Sequence, residues 1–238
     1  MQHLRCVLVG DPCVGKTALI VAYTRNGFCE RYSPTAFDNY SVTVCVDGNP
    51  LRLDLCDTAG RSEFDSLRPL SYSGASVFLL CFSVTRPSSL SSATQRWLPE
   101  IRSLAPSAPI LLIGTQSDRR LISHRSDTVE AKSMAQLTER LQLNNWLECS
   151  AVTQHNLKEV FDLAILQGLC HEQKVSPSRI PPSMPKAAKI ALPEGVKKTE
   201  KREIGGRGGT GGTTTTTKGG TLKQNLWRLV SITKKALL

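Results

Sequence analysis

The chain of 238 residues is long enough for one well-buried domain with extensions; it has no run of eighteen apolar residues and no signal-peptide pattern, so neither a membrane-spanning helix nor a secretory leader is expected. The formal net charge of +10 arises after residue 170, because residues 1–170 hold 16 basic and 16 acidic side chains whereas residues 171–238 hold 14 and 4. The eight cysteines and four histidines form no CxxC pair and no metal-ligand spacing, which argues against a disulfide framework or a zinc site and favours a cytosolic protein.

Strand and helix patterns alternate along the first 170 residues. Apolar or alternating runs predict six strands. Five lie at 4–10, 39–46, 51–57, 76–82 and 109–114, and the sixth ends near residue 148. Apolar residues at helical spacing predict helices at 16–25, 88–104, 128–142 and 155–169. The sequence therefore predicts an α/β fold, with a doubly wound and mostly parallel six-stranded sheet and one antiparallel edge strand from a hairpin.

A phosphate-binding loop is predicted between the first strand and the first helix. Residues 10–17 read GDPCVGKT and match the pattern GxxxxGK[ST] in the context that this motif requires. Glycines let backbone N–H groups wrap a phosphate, Lys16 brings a positive charge to the β- and γ-phosphates, and the Thr17 hydroxyl is a magnesium ligand. The residues predicted to contact nucleotide here are Asp11, Pro12, Cys13, Val14, Gly15, Lys16, Thr17 and Ala18.

The segment DTAG (57–60) follows the third predicted strand and completes the phosphate end of the site. Asp57 would hold Mg²⁺ directly or through water, and the Gly60 N–H would sense the γ-phosphate.

Two further loops predict a guanine site. GTQSD (114–118) ends the fifth predicted strand and ECSA (148–151) ends the sixth. The Asp118 carboxylate can accept from N1–H and the 2-amino group of guanine together, a donor pair that adenine lacks. The Ala151 N–H would meet the guanine oxygen, and the remaining predicted contacts are Phe28, Thr115, Gln116 and Ser150.

With these motifs in this order, the chain resembles a small GTPase of the Rho family over roughly residues 3–170. YSPTAFDNY (32–40) resembles the family's first switch, SLRPLSY (66–72) its second switch, and RWLPEI (96–101) its third helix. TQSD (115–118) and TQHNLKEVFDLAI (153–165) are similar to the atypical Wrch/Chp (Cdc42-related) subgroup. The resemblance implies the P-loop small-GTPase fold, GTP or GDP bound with Mg²⁺, exchange factors, and effectors among CRIB-containing kinases and polarity proteins.

The resemblance also assigns roles to the first switch. Thr35 would join Thr17 and Asp57 as a protein ligand of Mg²⁺, and Tyr32 would lie over the phosphates. The residues that would face effectors are Thr35, Phe37, Asp38 and Tyr40.

Position 61 departs from the family pattern, because Arg61 stands where the family has the glutamine that orients the attacking water. A glutamine amide accepts and donates, whereas a guanidinium only donates. No confident catalytic residue is therefore assigned, and both intrinsic and activator-stimulated hydrolysis are expected to be impaired. An open alternative is that Arg61 acts in cis like an arginine finger and that the protein hydrolyses GTP in an unfamiliar way.

Two more departures point the same way. Pro12 replaces a glycine, so it removes one N–H and projects a ring toward the space that an activating protein's arginine would enter, unless it merely fits the existing φ of the loop. Gln116 replaces the usual lysine, whose stem packs along the base, and the shorter neutral amide is expected to speed nucleotide exchange. Together these features predict a switch that is mostly GTP-loaded.

The composition after the last predicted helix divides the chain into a G domain (1–173), a linker rich in Pro and Lys and then in Gly and Thr (174–220), and a C-terminal stretch (221–238). Residues 221–238 have apolar side chains at helical spacing beside basic ones, which predicts an amphipathic helix on an anionic membrane surface. Alternatives are docking on the G domain or on a partner, and nucleic-acid binding is not expected. Cys170 is the last cysteine, so no C-terminal prenylation is expected, and whether Cys170 is acylated is left open.

The linker contains RIPPSMP (179–185), in which Arg179, Pro182 and Pro185 fit a polyproline ligand for SH3 adaptors or a chance match. The function predicted from the whole sequence is a Rho-type signalling switch on the cytoplasmic face of the plasma membrane or endosomes, otherwise cytosolic, that controls actin, adhesion and morphology. The alternative from another class is a pseudo-GTPase scaffold that works through its tail.

Overall fold

The computed structural model describes residues 1–27, 37–121, 128–175 and 232–235. Most of these form a single sheet with helices on both faces. The strands lie in the order β6-β5-β4-β1-β3-β2-β7, in which the β3–β2 and β2–β7 pairs are antiparallel and the other four pairs are parallel. The strands are β1 (Gln2–Val9), β2 (Phe37–Val46), β3 (Asn49–Thr58), β4 (Val77–Ser83), β5 (Ile110–Thr115), β6 (Asn145–Glu148) and β7 (Ile232–Lys235).

The helices connect these strands and cover the sheet. One helical stretch changes character along its length: α2 (Pro87–Ser92) passes through a π-helical turn, Ala93–Trp97, into α3 (Leu98–Leu104). The other helices are α1 (Lys16–Arg25), α4 (Ala131–Arg140) and α5 (Leu157–Val175). Short 3₁₀ turns lie at Ser62–Phe64, Arg68–Tyr72 and Ser117–Leu121.

The central strands are buried on both faces, as their continuous apolar sequences predict. Along β1, Leu4 and Leu8 face a core that includes α1 and α5, whereas Val7 and Val9 face a core that includes Trp97. Successive side chains of a strand point to opposite faces, so a strand between two helical layers must be apolar at nearly every position. The predicted doubly wound, mostly parallel sheet of six strands is thereby confirmed, with a seventh short strand added at its edge.

Two predicted boundaries move. The fourth helix, predicted over 128–142, spans only Ala131–Arg140, and the last helix continues to Val175, past the boundary predicted at 173. None of the helices in the described ranges is both long enough and apolar enough to cross a membrane.

The helix predicted over 221–238 is wrong at the four of those residues that the structure describes. Ile232–Lys235 form β7, which pairs antiparallel with β2 from Val46 opposite Ile232 to Thr43 opposite Lys235. The β-branched Ile232 and Thr233 favour extended backbone, and the outer edge of β2 offers backbone hydrogen bonds that replace those of a helix. The helical spacing of the sequence could not reveal a pairing strand so far away in the chain.

Candidate nucleotide-binding site

The phosphate-loop residues form a tight turn over the end of β1. Cys13 and Gly15 both have left-handed backbone, with φ of 62° and 100°, and Gly15 caps the start of α1. Lys16 lies in the middle of the turn with 6% of its surface exposed, and its Nζ donates to the carbonyl oxygens of Gly10 at 2.8 Å and Asp11 at 2.9 Å. The loop therefore holds one buried cation just after β1, and a positive charge in a glycine-containing loop at the start of a helix suits an anionic phosphate.

Burial lowers the pKa of the Lys16 ammonium from its ordinary value, and the nearby Asp57 carboxylate opposes that shift. A phosphate in the loop would add negative charge close to Lys16 and favour the charged form further.

Asp57 meets the phosphate loop at the carboxyl end of β3. It is fully buried, and the Thr17 hydroxyl donates to its Oδ2 at 2.5 Å. A hydroxyl and a carboxylate are the hard oxygen ligands that Mg²⁺ accepts, and in nucleotide sites water and phosphate oxygens complete the octahedron. The pair fits a magnesium ion, and no cluster of three or more His, Cys, Asp or Glu in the described ranges offers a different metal site.

Gly60 holds the DTAG segment directly against the phosphate loop. A Cβ atom on Gly60 would lie 2.4 Å from the Pro12 nitrogen and 2.6 Å from the Gly10 oxygen, so no larger residue fits without moving the backbone. The predicted γ-phosphate sensor and the start of the loop are thus in contact.

The residues predicted to bind guanine converge at the ends of β5 and β6. The Ser150 hydroxyl donates to Asp118 Oδ1 at 2.5 Å, and the backbone N–H of Ser117 donates to the Cys149 carbonyl at 3.1 Å. Thr115 donates its hydroxyl to the carbonyl oxygens of Val14 and Phe82, the latter at 2.9 Å, and thereby links β5 to the phosphate loop. Ala151 follows Ser150 and is buried.

Gln116 connects the two halves of the site. Its Nε2 donates to the Cys13 carbonyl at 3.2 Å, and its Oε1 accepts from the Ser83 hydroxyl at 2.7 Å. The backbone of Gln116 is left-handed, with φ of 62°.

Some predicted site residues cannot be placed. Phe28, Tyr32 and Thr35 lie outside the described residues. Phe37 and Asp38 are exposed at the start of β2, where Asp38 pairs with Asp57 across the ladder. Burial and the neighbouring Asp38 raise the pKa of Tyr40, which is partly buried against the core.

The structure also shows three residues that the sequence analysis did not single out. Arg68 is 3% exposed and binds the loop that follows DTAG: its Nε donates to the Ala59 carbonyl at 2.9 Å and its Nη2 to the Arg61 carbonyl at 3.0 Å. The Trp97 indole N–H donates to Asp11 Oδ1 at 2.8 Å, and the Arg68 guanidinium lies 4.5 Å from the centre of the indole ring. Arg68 lies in SLRPLSY (66–72) and Trp97 in RWLPEI (96–101), two segments that resemble the family's patterns. That resemblance is the sequence signal by which these two residues could have been found.

Arg86 is the third such residue. Its Nη2 donates to the Pro12 carbonyl at 2.9 Å, across a separation of 74 residues. No local sequence pattern marks it.

Comparison with known protein sequences identifies the family to which the chain belongs. Residues 5–169 match the Ras family. The Rho-related GTP-binding protein RhoV of Rattus norvegicus and that of Homo sapiens are each 51% identical to the chain over 181 residues, which cover 72% of this chain and 77% of the relative. RhoV of Bos taurus is 50% identical over the same length. The chain therefore belongs to the Rho family of small GTP-binding proteins, within the wider Ras family.

Proposed function

We propose that this Rho-type GTPase is a signalling switch that rests mainly in its GTP-bound form because it hydrolyses GTP slowly. Arg61 carries the proposal. It follows directly on the DTAG segment, in extended conformation with φ of −84° and ψ of 146°, and its side chain is exposed. Its carbonyl accepts from Arg68 Nη2 at 3.0 Å and from the Phe64 N–H at 3.2 Å, so the backbone at position 61 is anchored.

The chemistry at position 61 explains the slow hydrolysis. An attacking water needs a group that accepts its proton or orients its lone pair toward the γ-phosphorus, and a guanidinium offers neither because it only donates. Thr17 and Asp57 are the described side chains that would hold Mg²⁺, which neutralises charge on the β- and γ-phosphates when it is bound.

Pro12 supports slow hydrolysis in the presence of activating proteins as well. It has no N–H, and it lies between Gly60 and the Arg86 guanidinium. An arginine supplied by an activating protein raises GTPase rates by about 10³–10⁵ when it reaches the γ-phosphate. The Pro12 ring would crowd that approach.

The surface beside the switch supports an output through partner proteins. A groove of about 330 Å³ lies between β2 and the segment 64–71. Three exposed apolar side chains line it, namely Phe37 (46% exposed), Leu67 (57%) and Leu70 (74%). Exposed apolar residues gathered around a groove are typical of protein-binding sites. The partners that we propose for this surface are effectors such as CRIB-containing kinases and polarity proteins, through which the switch would act on actin, adhesion and morphology.

The proposal places the switch at anionic membranes through charge. Residues 171–238 hold 14 basic and 4 acidic side chains, and clusters of basic residues near a membrane are attracted by about 1 kcal/mol per residue. The SH3 ligand at Arg179, Pro182 and Pro185 lies outside the described residues and would add an adaptor contact.

The test combines nucleotide content with single-turnover GTP hydrolysis. We expect the purified protein to carry close to one guanine nucleotide per chain, and Arg61→Gln to raise the hydrolysis rate by roughly tenfold or more by restoring a group that positions water. Arg140→Gln is the matched control, because it makes the same change at an exposed position on α4.

Two results would contradict the proposal in different ways. A chain purified without nucleotide, and unable to bind it, would support the scaffold instead. A wild-type rate equal to or above that of Arg61→Gln would show that Arg61 supports hydrolysis.

A further inference from the structure

Strand β7 covers one end of the outer edge of β2. Its four residues pair antiparallel with β2, from Ile232 opposite Val46 to Lys235 opposite Thr43. The rest of β2, residues 37–42, has no strand on this side within the residues that the structure describes. The ten residues of β2 are therefore divided into a covered stretch of four and an open stretch of six.

The covered stretch of β2 lacks the features by which exposed edge strands usually avoid pairing with other chains. Residues 42–46 (VTVCV) contain no charged side chain and no proline. The register between β2 and β3 is unbroken from Phe37 to Val46, so no β-bulge turns this edge away. An edge strand without such features is commonly covered by another part of the protein, and β7 supplies that cover here.

The pairing of β7 with β2 is expected to be reversible. α5 ends at Val175 and β7 begins at Ile232, so the 56 residues 176–231 form the loop that the pairing closes. Closing so long a loop costs conformational entropy, and four paired residues offer few hydrogen bonds to offset that cost. A strand held in this way can be displaced by another extended segment.

The open stretch of β2 indicates how a competing segment would approach. It begins at Phe37, which is exposed and also lines the apolar groove beside the segment 64–71. An extended segment of a partner that starts at this groove can add to the sheet along residues 37–42 without obstruction. It can continue along residues 43–46 only if β7 leaves.

We infer that residues 232–235 are an autoinhibitory strand. They occupy residues 43–46 of β2 within the same chain, and they must be displaced before an extended segment of another protein can use the full edge. The inference rests on the proposed function in one respect, because the groove at Phe37 is the surface proposed for partners. It does not depend on the rate of GTP hydrolysis.

An engineered disulfide in the full chain tests the pairing and its register. Cys45 is a free, partly exposed cysteine that lies opposite Thr233. Directly opposite residues of an antiparallel pair have Cβ atoms about 4.5–5.5 Å apart, within reach of a disulfide after a small adjustment. Under mild oxidation, Thr233→Cys is expected to link to Cys45 at least about fivefold more than Lys234→Cys, as measured by peptide mass mapping. Lys234→Cys is the matched control, because neighbouring residues of a strand point to opposite faces.

The inhibition is tested by binding of a fluorescent peptide with the sequence of residues 230–238 (VSITKKALL), followed by anisotropy. Ile232→Pro combined with Thr233→Pro removes two consecutive N–H groups, one of which must face β2 in an antiparallel ladder. This variant should bind the peptide at least about fivefold more tightly than wild type, because the internal strand no longer competes. The same two changes at Thr213 and Thr214 are the matched control and should leave binding unchanged.

The disulfide-linked form of Thr233→Cys provides a second comparison that needs no proline. It should bind the peptide at least about fivefold more weakly than its reduced form, because the linked strand cannot leave β2. If the proline variant loses its bound nucleotide, this comparison alone decides.

Three results would overturn the inference. If Thr233→Cys and Lys234→Cys link to Cys45 equally, or neither does, β7 does not hold this register. A disulfide that joins two chains, seen as a dimer on a non-reducing gel, would assign the strand to a second copy. Peptide binding that is the same with the strand linked, reduced or disrupted would show that β7 does not block the edge. None of these results alters the hydrolysis test at Arg61, so the two proposals can fail separately.

Discussion

The Gln116 side chain ties the phosphate loop to the sheet rather than lying free beside the base. Its amide bridges the Cys13 carbonyl and the Ser83 hydroxyl, at 3.2 Å and 2.7 Å. The first of these bonds is long for an N–H to oxygen contact and involves a neutral donor. The site is therefore held together at this point by an amide where the family usually has a charged amine.

The rate of nucleotide exchange should depend on the charge of the side chain at position 116. Gln116→Lys is expected to slow GDP release by several-fold for two reasons. The lysine ammonium makes a stronger, charge-assisted hydrogen bond to the Cys13 carbonyl, and the longer lysine side chain packs along the base. Release is measured by following a fluorescent GDP displaced by excess GTP. Gln116→Ala is the matched control and should release faster than wild type, and a lysine variant as fast as wild type would refute the prediction.

At the scale of elements, Arg68 organises the segment between β3 and β4. Besides the Ala59 and Arg61 carbonyls, its guanidinium binds Glu100 of α3 at 3.2 Å and lies 4.5 Å from the Trp97 ring centre. Trp97 belongs to the π-helical turn and binds Asp11 of the phosphate loop. π-Helical turns occur frequently at functional sites, and here the turn connects the phosphate loop to the segment that follows Gly60.

Removing Arg68 should therefore destabilise the fold. Arg68→Ala leaves two carbonyls and the Glu100 carboxylate without this donor, and we expect the free energy of unfolding to fall by about 3 kcal/mol, measured by urea denaturation. Arg96 is the matched control, because Arg68 and Arg96 both contact Trp97 and both form an ion pair with Asp65. The Arg96 side chain is 41% exposed, whereas that of Arg68 is 1% exposed.

Arg96→Ala is accordingly expected to lower the same free energy by less than about 1 kcal/mol. Equal losses in the two variants would mean that burial of Arg68 contributes nothing.

Local features of the fold could be predicted because their causes lie in adjacent residues. The helix predicted at 16–25 is found at Lys16–Arg25, since left-handed Gly15 starts it and left-handed Asn26 ends it. The predicted hairpin between the strands at 39–46 and 51–57 turns at Asp47 and Gly48, whose backbones are left-handed with φ of 49° and 81°. The phosphate loop is equally local.

Contacts across the fold could not be predicted in the same way. The Trp97–Asp11 bond joins residues 86 positions apart, and the Arg86–Pro12 bond joins residues 74 apart. Nothing in the residues around Arg86 distinguishes an exposed arginine from one that reaches the phosphate loop. β7 was missed for a related reason, since the edge of β2 that it pairs with is remote in sequence.

At the scale of the whole molecule, charge is divided between a neutral part and a basic part. Residues 1–170 balance 16 basic against 16 acidic side chains, so the excess of +10 belongs to the remainder. This distribution directs long-range attraction to the C-terminal part and leaves the nucleotide-binding part electrically balanced.

Deletion of residues 221–238 should weaken binding to anionic lipid vesicles by at least about tenfold, because it removes Lys223, Arg228, Lys234 and Lys235. Co-sedimentation with phosphatidylserine vesicles measures the binding, and raising the salt from 0.1 to about 0.5 M should weaken wild-type binding through screening. Deletion of 205–220 is the control, since it removes a similar length with two basic residues. Unchanged binding after deletion of 221–238 would refute the prediction.

Strand β7 also affects how the protein behaves at high concentration. An unpaired sheet edge is a template on which a second molecule can add its own strand, which is a common start of fibrous aggregation. Pairing of β7 with Thr43–Val46 satisfies part of that edge within one chain. A protein truncated before residue 232 would expose this stretch of β2. Its rate of aggregation in solution would then depend on how often two molecules pair through their exposed β2 edges.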